Sequence, residues 1–511
     1  SVHYTRIIPK SKRLSALFAA GSFSPNNSII GAKYLNEAGN THHVITHAIP
    51  LSMFDETIEK LQDAQEHARE LFGDKVSLSH NDLQSVIDAK DFKKKHGYAK
   101  TDFINTLLDS FHVSRFTLDE SKEIFTEDAI VTLYDTGVTP DVLFRRLGIT
   151  LSPDTTLADN TLLLSSAQLS ILMEKAPYLV CMAVSDLSSI PPITDKAQKL
   201  VKRTIPAPTN EPTIGVIDTL FSKNVYFSGW VDPRPCLDPS IIQAAGEEDR
   251  RHGTAVSSLI VDGPTLNPDL DDGCGRFKVR HFEVATNSRN SSFTIMRSIQ
   301  TILAGNKDIR VWNLSLGSER ESNPNFISPE SAVLDTLQKE FNVIFVVAGT
   351  NKTDTADEEQ VLGAPADSLN AVTVNSVSKK NIVCDYSRRG PVLTFFQKPD
   401  VSYYGDGIRV ETGNGERIVS GTSFAAPWIA RKLSYLIDVL GQPREVAKAM
   451  LIDAASGWNA PDKPEYRGYG TVPLKIGDII SSASDEIRFI LYGSIEKYET
   501  FSTRIPVPIS Q

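Results

Sequence analysis

The sequence predicts an α/β protein built on a parallel sheet, preceded by an α+β region and followed by a short β extension. Three observations carry this prediction. From about residue 211 short apolar runs alternate with stretches of helical period, the first 200 residues mix amphipathic helices with strand-like runs, and the last stretch offers two further runs of strand character. Strands of a parallel sheet are covered on both faces, so they read as continuous apolar runs rather than as alternating ones. A chain of 511 residues also exceeds what one hydrophobic core usually organises, so several domains are expected.

The parallel-sheet strands are TIGVID (213–218), FKVRHFEVA (277–285), IRVWNLSLGS (309–318), NVIFVVAG (342–349) and AVTVNSV (371–377). Between them RHGTAVSSLIVDG, SFTIMRSIQTILAG and SAVLDTLQKEF carry the helical period. Active residues are expected at the carboxyl ends of such strands. Ahead of them come a strand HHVITHAIP, a helix MFDETIEKLQDAQEHARELFG, a helical middle over 80–150, a helix SSAQLSILMEKAP and a strand YLVCMAVSDL, which together suggest one small α+β unit. Proline and charge collect over 186–210, which marks a boundary linker. The expected division is therefore 1–205, 206–484, and a β extension over 485–511 formed by EIRFILYGSI and ETFSTRIPVPI.

Composition removes several function classes. The chain is 41% hydrophobic and 23% charged with a net charge of -10, without a long basic run, so neither nucleic acid nor a membrane surface is an expected partner. No apolar stretch approaches the roughly 20 residues that span a bilayer. Cys181, Cys236, Cys274 and Cys384 are scattered without a CxxC pair, which argues against a zinc site and for free thiols in a reducing, cytoplasmic setting; secretion is the alternative if a leader preceded Ser1.

Serine acyl transfer needs a hydroxyl, a base within reach of it, a carboxylate to orient the base, and donors for the oxyanion. A GTS tripeptide by itself reads as a helix N-cap, a carboxylate after a strand as a turn former, and a histidine at a helix start as structural. Here Ser423 lies in SGTSFAAPWIARKLSYLI, where small residues and a first-turn Pro427 lead into a helical pattern, Asp218 ends TIGVID, and His252 opens RHGTAVSSLI. GTSFAAP resembles the nucleophile motif of the subtilisin family of serine peptidases, TIGVIDT resembles that family's aspartate motif with Leu220 in place of its glycine, and HGTAVSS resembles its histidine motif. The order Asp, His, Ser is the one this family uses. The resemblance covers roughly residues 211–475 and includes APADSLNAVTVNSV, SRRGP, KPDVSYYGDG and GYGTV.

The resemblance implies a subtilisin-like serine endopeptidase with Asp218, His252 and Ser423 as catalytic triad, acting on protein or peptide substrates. It implies Asn351 as the oxyanion donor, with Thr350 as the alternative, and the backbone N–H of Ser423 as a second donor. An extended peptide is expected to add to a sheet edge at NLSLG, residues Asn313, Leu314, Ser315, Leu316 and Gly317. No cofactor is expected; NPDLDDG (267–273) fits a solvated loop better than a calcium loop because its spacing matches no EF-hand. The segment 165–187 is similar in pattern to the end of a subtilase propeptide, so the N-terminal region is expected to be a regulatory extension that holds the enzyme in check, with a regulatory protein partner and a bacterial stress or defence setting as further expectations. The competing readings are a non-catalytic binding module on the same fold and an esterase or acyltransferase with the same machinery.

Overall fold

The computed structural model describes the chain apart from residues 11–12, 20–22, 38–39, 76, 93–98, 119–127, 177–178, 185–202, 288–290, 324–325, 354–358, 391–395, 457–460, 483–487, 492, 495–499, 501 and 505–511. The N-terminal region is α+β, as expected, and holds two separate antiparallel sheets among the described residues. In the first, β1 (Val2–Tyr4) lies between β3 (Asn40–His47) and β4 (Val113–Phe116), and β2 (Ile29–Glu37) pairs with β3. Helices α1 (Leu51–Phe72), α2 (His80–Asp88) and α3 (Lys100–His112) accompany it.

The second sheet runs through β5 (Ala129–Leu133), α4 (Pro140–Leu147), β6 (Thr156–Ala158), β7 (Thr161–Leu164), α5 (Ser166–Lys175) and β8 (Val180–Val184), with strand order β6-β7-β5-β8. This is a split βαβ arrangement. The helical middle expected over 80–150 therefore contains two strands, β4 and β5. Successive side chains of a strand face opposite ways. Ala129, Val131 and Leu133 of β5 pack with Phe144, Leu169 and Leu172, whereas Ile130 between them packs into the core of the following domain. Both faces of this sheet are thus covered, which is why AIVTL and TLLL contain so little polar alternation.

The third body is a seven-stranded parallel sheet of order β10-β11-β9-β12-β13-β14-β15. Its strands are β9 (Thr213–Thr219), β10 (Val231–Pro235), β11 (Lys278–Ala285), β12 (Val311–Leu314), β13 (Ile344–Ala348), β14 (Val372–Val377) and β15 (Val401–Tyr404). Helices α6 (Glu248–Leu266), α9 (Thr422–Ser434) and α10 (Arg444–Ser456) pack on one face, α7 (Ser292–Gly305) and α8 (Pro329–Phe341) on the other. Residues of β13 divide between the two cores in strict alternation, Ile344 and Val346 to one and Phe345 and Val347 to the other. On β9, Gly215 pairs with Trp312, and a Cβ there would lie 2.2 Å from the indole, so the glycine makes room for the ring. A small antiparallel pair, β16 (Ile408–Glu411) with β17 (Glu416–Val419), sits beside α6.

The second N-terminal unit docks on α7 and α8. Leu157 and Ile130 enter the core beneath these helices, Gln300 donates to the Leu157 carbonyl at 3.1 Å, and Arg297 donates to the Asp154 carbonyl at 2.9 Å. The linker read over 186–210 lies mostly outside the described residues; where it resumes, Arg203 pairs with Glu416 at 2.7 Å and Trp230 donates to the Pro206 carbonyl. The β extension expected over 485–511 also falls largely outside them, and among the described residues of that stretch none is in a strand. No helix among the described residues is long and apolar enough to cross a membrane.

Candidate active site

After β9 the chain forms strands on one side of it and then on the other, so the sheet order reverses at β9, and a crevice opens at the carboxyl end of a strand at such a point. Asp218 stands there, fully buried. Its Oδ1 accepts from the Thr219 N–H at 2.7 Å and lies 2.7 Å from Nδ1 of His252. A carboxylate only accepts, so Nδ1 is the protonated nitrogen and the lone pair of a neutral ring falls on Nε2. His252 is in the first turns of α6, and its Nε2 is buried with no hydrogen-bond partner among the described residues.

Ser423 is the second residue of α9, and the Phe424 ring beside it lies 5.7 Å from the imidazole of His252. Pro427 is the sixth residue of that helix, in the second turn rather than the expected first. Lacking an N–H, it cannot bond back to the Ser423 carbonyl. The Ser315 hydroxyl fills the gap at 3.3 Å, itself held at 3.0 Å by Nδ2 of Asn313. In return the Ser423 hydroxyl donates to the Ser315 carbonyl at 3.3 Å, so the two serines clasp each other across 108 residues.

Asn351 lies beside the same helix end: its Oδ1 accepts from the Thr422 N–H and hydroxyl, both at 3.1 Å. That fixes the amide with its oxygen on the helix and leaves the NH2 as its free end. Thr350 is turned elsewhere, donating to the Gly349 carbonyl at 2.7 Å and accepting from the Gly363 N–H at 3.1 Å. Its φ of 61° is the left-handed conformation that β-branched residues avoid, which explains why a glycine suits that position.

Arg388, from SRRGP, is fully buried, and sequence reasoning missed its place. It donates to carbonyls of Asn351 at 2.9 Å and Glu319 at 2.8 Å, joining the loop after β13 to the one after β12. The doubled arginine of SRRGP, a segment that carries part of the family resemblance, was the available signal.

The segment Asn313 to Gly317 divides. Asn313 and Leu314 are paired to β9 on one side and β13 on the other, so they cannot accept a further strand; this corrects the expectation that all five residues form an edge. Ser315, Leu316 and Gly317 lie beyond the ladder, and Ser315 is bonded to Ser423. In loop 267–273 the carboxylates face cations: Asp269 pairs with Lys379, Asp271 with Lys475, and Asp272 with both nitrogens of a buried Arg431 fork at 2.8 Å. Asp218, His252 and Ser423 are 0%, 1% and 3% exposed, so all three side chains lie below the surface of the molecule.

The model of the Subtilase family matches residues 209–474, just over half of the 511 residues. The chain belongs to the subtilase family. The subtilase region takes in β9 through α10 and contains Asp218, His252, Asn351, Arg388 and Ser423. A curated relative, subtilisin-like protease 2 of Pseudogymnoascus destructans, is 32% identical over 139 residues, which are 27% of this chain and only 31% of that protein's length. Among solved structures the chain is similar to the prenylagaramide maturation protease PagA (23% identity, TM-score 0.41, covering 53% of this chain and 92% of that one). It is also similar to the patellamide maturation protease PatA (19%, 0.40, 52% and 95%).

Proposed function

We propose that this subtilase is a serine endopeptidase that cleaves protein or peptide substrates through an acyl-enzyme on Ser423, needs no cofactor, and is restrained by its N-terminal units. The observation that carries the reading is the buried Asp218–His252 pair at 2.7 Å, with Nε2 left without a hydrogen-bond partner among the described residues and the ring of Phe424, the residue after Ser423, 5.7 Å from the imidazole. For catalysis the Ser423 hydroxyl turns from the Ser315 carbonyl to Nε2, which takes its proton as the oxygen attacks the scissile carbonyl. Such bonds commonly form only once substrate is present. The imidazolium then gives that proton to the leaving amine, and Asp218 stabilises the charged ring. The oxyanion is met by the Ser423 N–H and the Asn351 amide NH2, whose orientation is set by the bonds to Thr422.

Two observations support the restraint: the catalytic side chains are shut off from solvent, and the unit carrying β5–β8 is docked on α7 and α8. The test is intact-mass analysis with a fluorophosphonate probe on the uncut chain and on chain nicked between 185 and 210, with Ser423→Ala as control. Labelling at Ser423 only after nicking is expected. Equal labelling of both forms would remove the restraint, and no labelling of either would remove the peptidase reading.

A further inference from the structure

His281 sits in β11 and takes no part in the mechanism above, yet it is fully buried and ties together the two elements that carry the catalytic pair. Its Nε2 lies 2.7 Å from the Thr219 carbonyl, at the end of β9 and one residue from Asp218. A carbonyl only accepts, so Nε2 bears the proton. Burial lowers the pKa of this ring and keeps it neutral, and Nδ1 then accepts from the Ser257 hydroxyl of α6 at 2.9 Å. The same strand end meets α6 a second time, because Gly253 N–H, next to His252, donates to the Thr219 hydroxyl at 2.9 Å. A Cβ on Gly253 would stand 2.6 Å from the Thr219 carbonyl and 2.8 Å from Cε1 of His281, so the helix reaches this depth only with a glycine there. The charged or titratable groups facing His281 are Asp218, Glu283 and His252, and the Phe221 ring lies 5.6 Å away.

We infer that His281 is a positioning residue: its neutral, Nε2-protonated ring pins the Asp218–Thr219 turn against the start of α6 so that Oδ1 of Asp218 meets Nδ1 of His252. It acts through Thr219 and touches no substrate. A second positive charge at this depth would oppose the imidazolium that forms on His252, and burial prevents it. The inference rests on the peptidase reading for its catalytic consequence, but its geometric content stands on the bonds themselves.

The test uses the full chain carrying His281→Leu or His281→Gln, the glutamine retaining an N–H where Nε2 was. Two readouts are taken: the downfield Nδ1–H proton resonance of His252, which needs no turnover, and the rate constant for probe labelling of Ser423 in the nicked but otherwise complete chain as a function of pH. His281→Leu is expected to shift or erase the resonance, slow labelling roughly 10- to 100-fold, and move the acid limb to lower pH because a loosened Asp218 stabilises the imidazolium less. Peptide KM is expected to stay the same, and His281→Gln to recover most of the loss. Should His281→Leu fail to fold, Ser257→Ala removes only the hydroxyl on Nδ1 and is expected to shift the same resonance in the same direction. An unchanged resonance and labelling rate in His281→Leu, or a glutamine variant as impaired as the leucine one, overturns the inference. Absence of labelling in the wild type overturns the peptidase reading instead, and the resonance still decides the positioning role.

Discussion

Leu157→Ala separates docking from catalysis. Leu157 is 2% exposed and belongs to the core under α7 and α8, while the interior of its own unit is built from other residues, such as Val131, Phe144 and Leu169. Truncating a buried leucine costs about 3 kcal/mol near the lower end of its range. Here the loss falls mainly on the docked state, and at 1.4 kcal/mol per factor of ten it raises the undocked population roughly 100-fold. If docking keeps Ser423 covered, fluorophosphonate labelling of the uncut chain accelerates by a similar factor, read by intact mass. Hydrogen exchange along 292–305 reports undocking independently. Faster exchange there without faster labelling would refute the reasoning, because the unit would have left without opening the site.

Asn351→Ala is expected to lower kcat of the active form by about 10²–10³ with little change in KM, since the amide meets charge that exists only in the transition state; a loss smaller than tenfold in steady-state assays would place the donor elsewhere. Arg431→Met leaves the Asp272 carboxylate buried without its cation and should destabilise the catalytic domain by about 3–5 kcal/mol in urea titrations, whereas Arg431→Met with Asp272→Leu should recover most of that. A single variant no weaker than the double one would show that the pair is not the cause. Burial, chiefly, holds His3 and His47 at about 4, against an ordinary 6.5. The unfolded chain therefore binds protons first as pH falls, so the first N-terminal unit is fully stable above about pH 6.5 and weakens progressively toward pH 4. Hydrogen exchange over 40–47, corrected for intrinsic rates, should show this, and equal protection at about pH 5 and pH 7.5 would contradict it.

The parallel sheet and the meeting of Asp218 with His252 were legible because the signals for both are local in sequence. Apolar runs such as NVIFVVAG mark strands covered on both faces, and three motifs placed Asp218, His252 and Ser423 at a strand end and two helix starts. What escaped depends on partners distant in the chain. The run VWNL is itself the mark of a strand buried on both sides, yet the motif around it suggested an edge, and only the pairing with β9 and β13 excludes that for Asn313 and Leu314. β10 reads VDPRP, whose prolines argue against a strand, and it survives because it is the outermost one, where a missing N–H can face away from the ladder. β5 is five residues long and owes its place to a docked face whose apolar partners lie more than 150 residues downstream. The left-handed φ of Thr350 and the contact of Asn351 with the start of α9 are not readable from two adjacent residues, because both are set by the fold around them.

The bonds from Arg297 and Gln300 end on the main-chain oxygens of Asp154 and Leu157. Main-chain acceptors are the same whatever residue supplies them, so these two bonds carry no side-chain code; what code the seam has lies in the apolar plugs of Leu157 and Ile130 and in the exposed contact of Arg297 with the Asp154 carboxylate at 3.4 Å. Residues 154 and 155 can therefore be rewritten at small cost, since the exposed ion pair of Asp154 with Arg297 contributes little, while the path of the loop is preserved. Exchange of N-terminal units between such proteins would be governed first by fit of shape, and a free unit added in trans should discriminate among catalytic domains by how far apart α7 and α8 stand and by the apolar residues that receive Ile130 and Leu157.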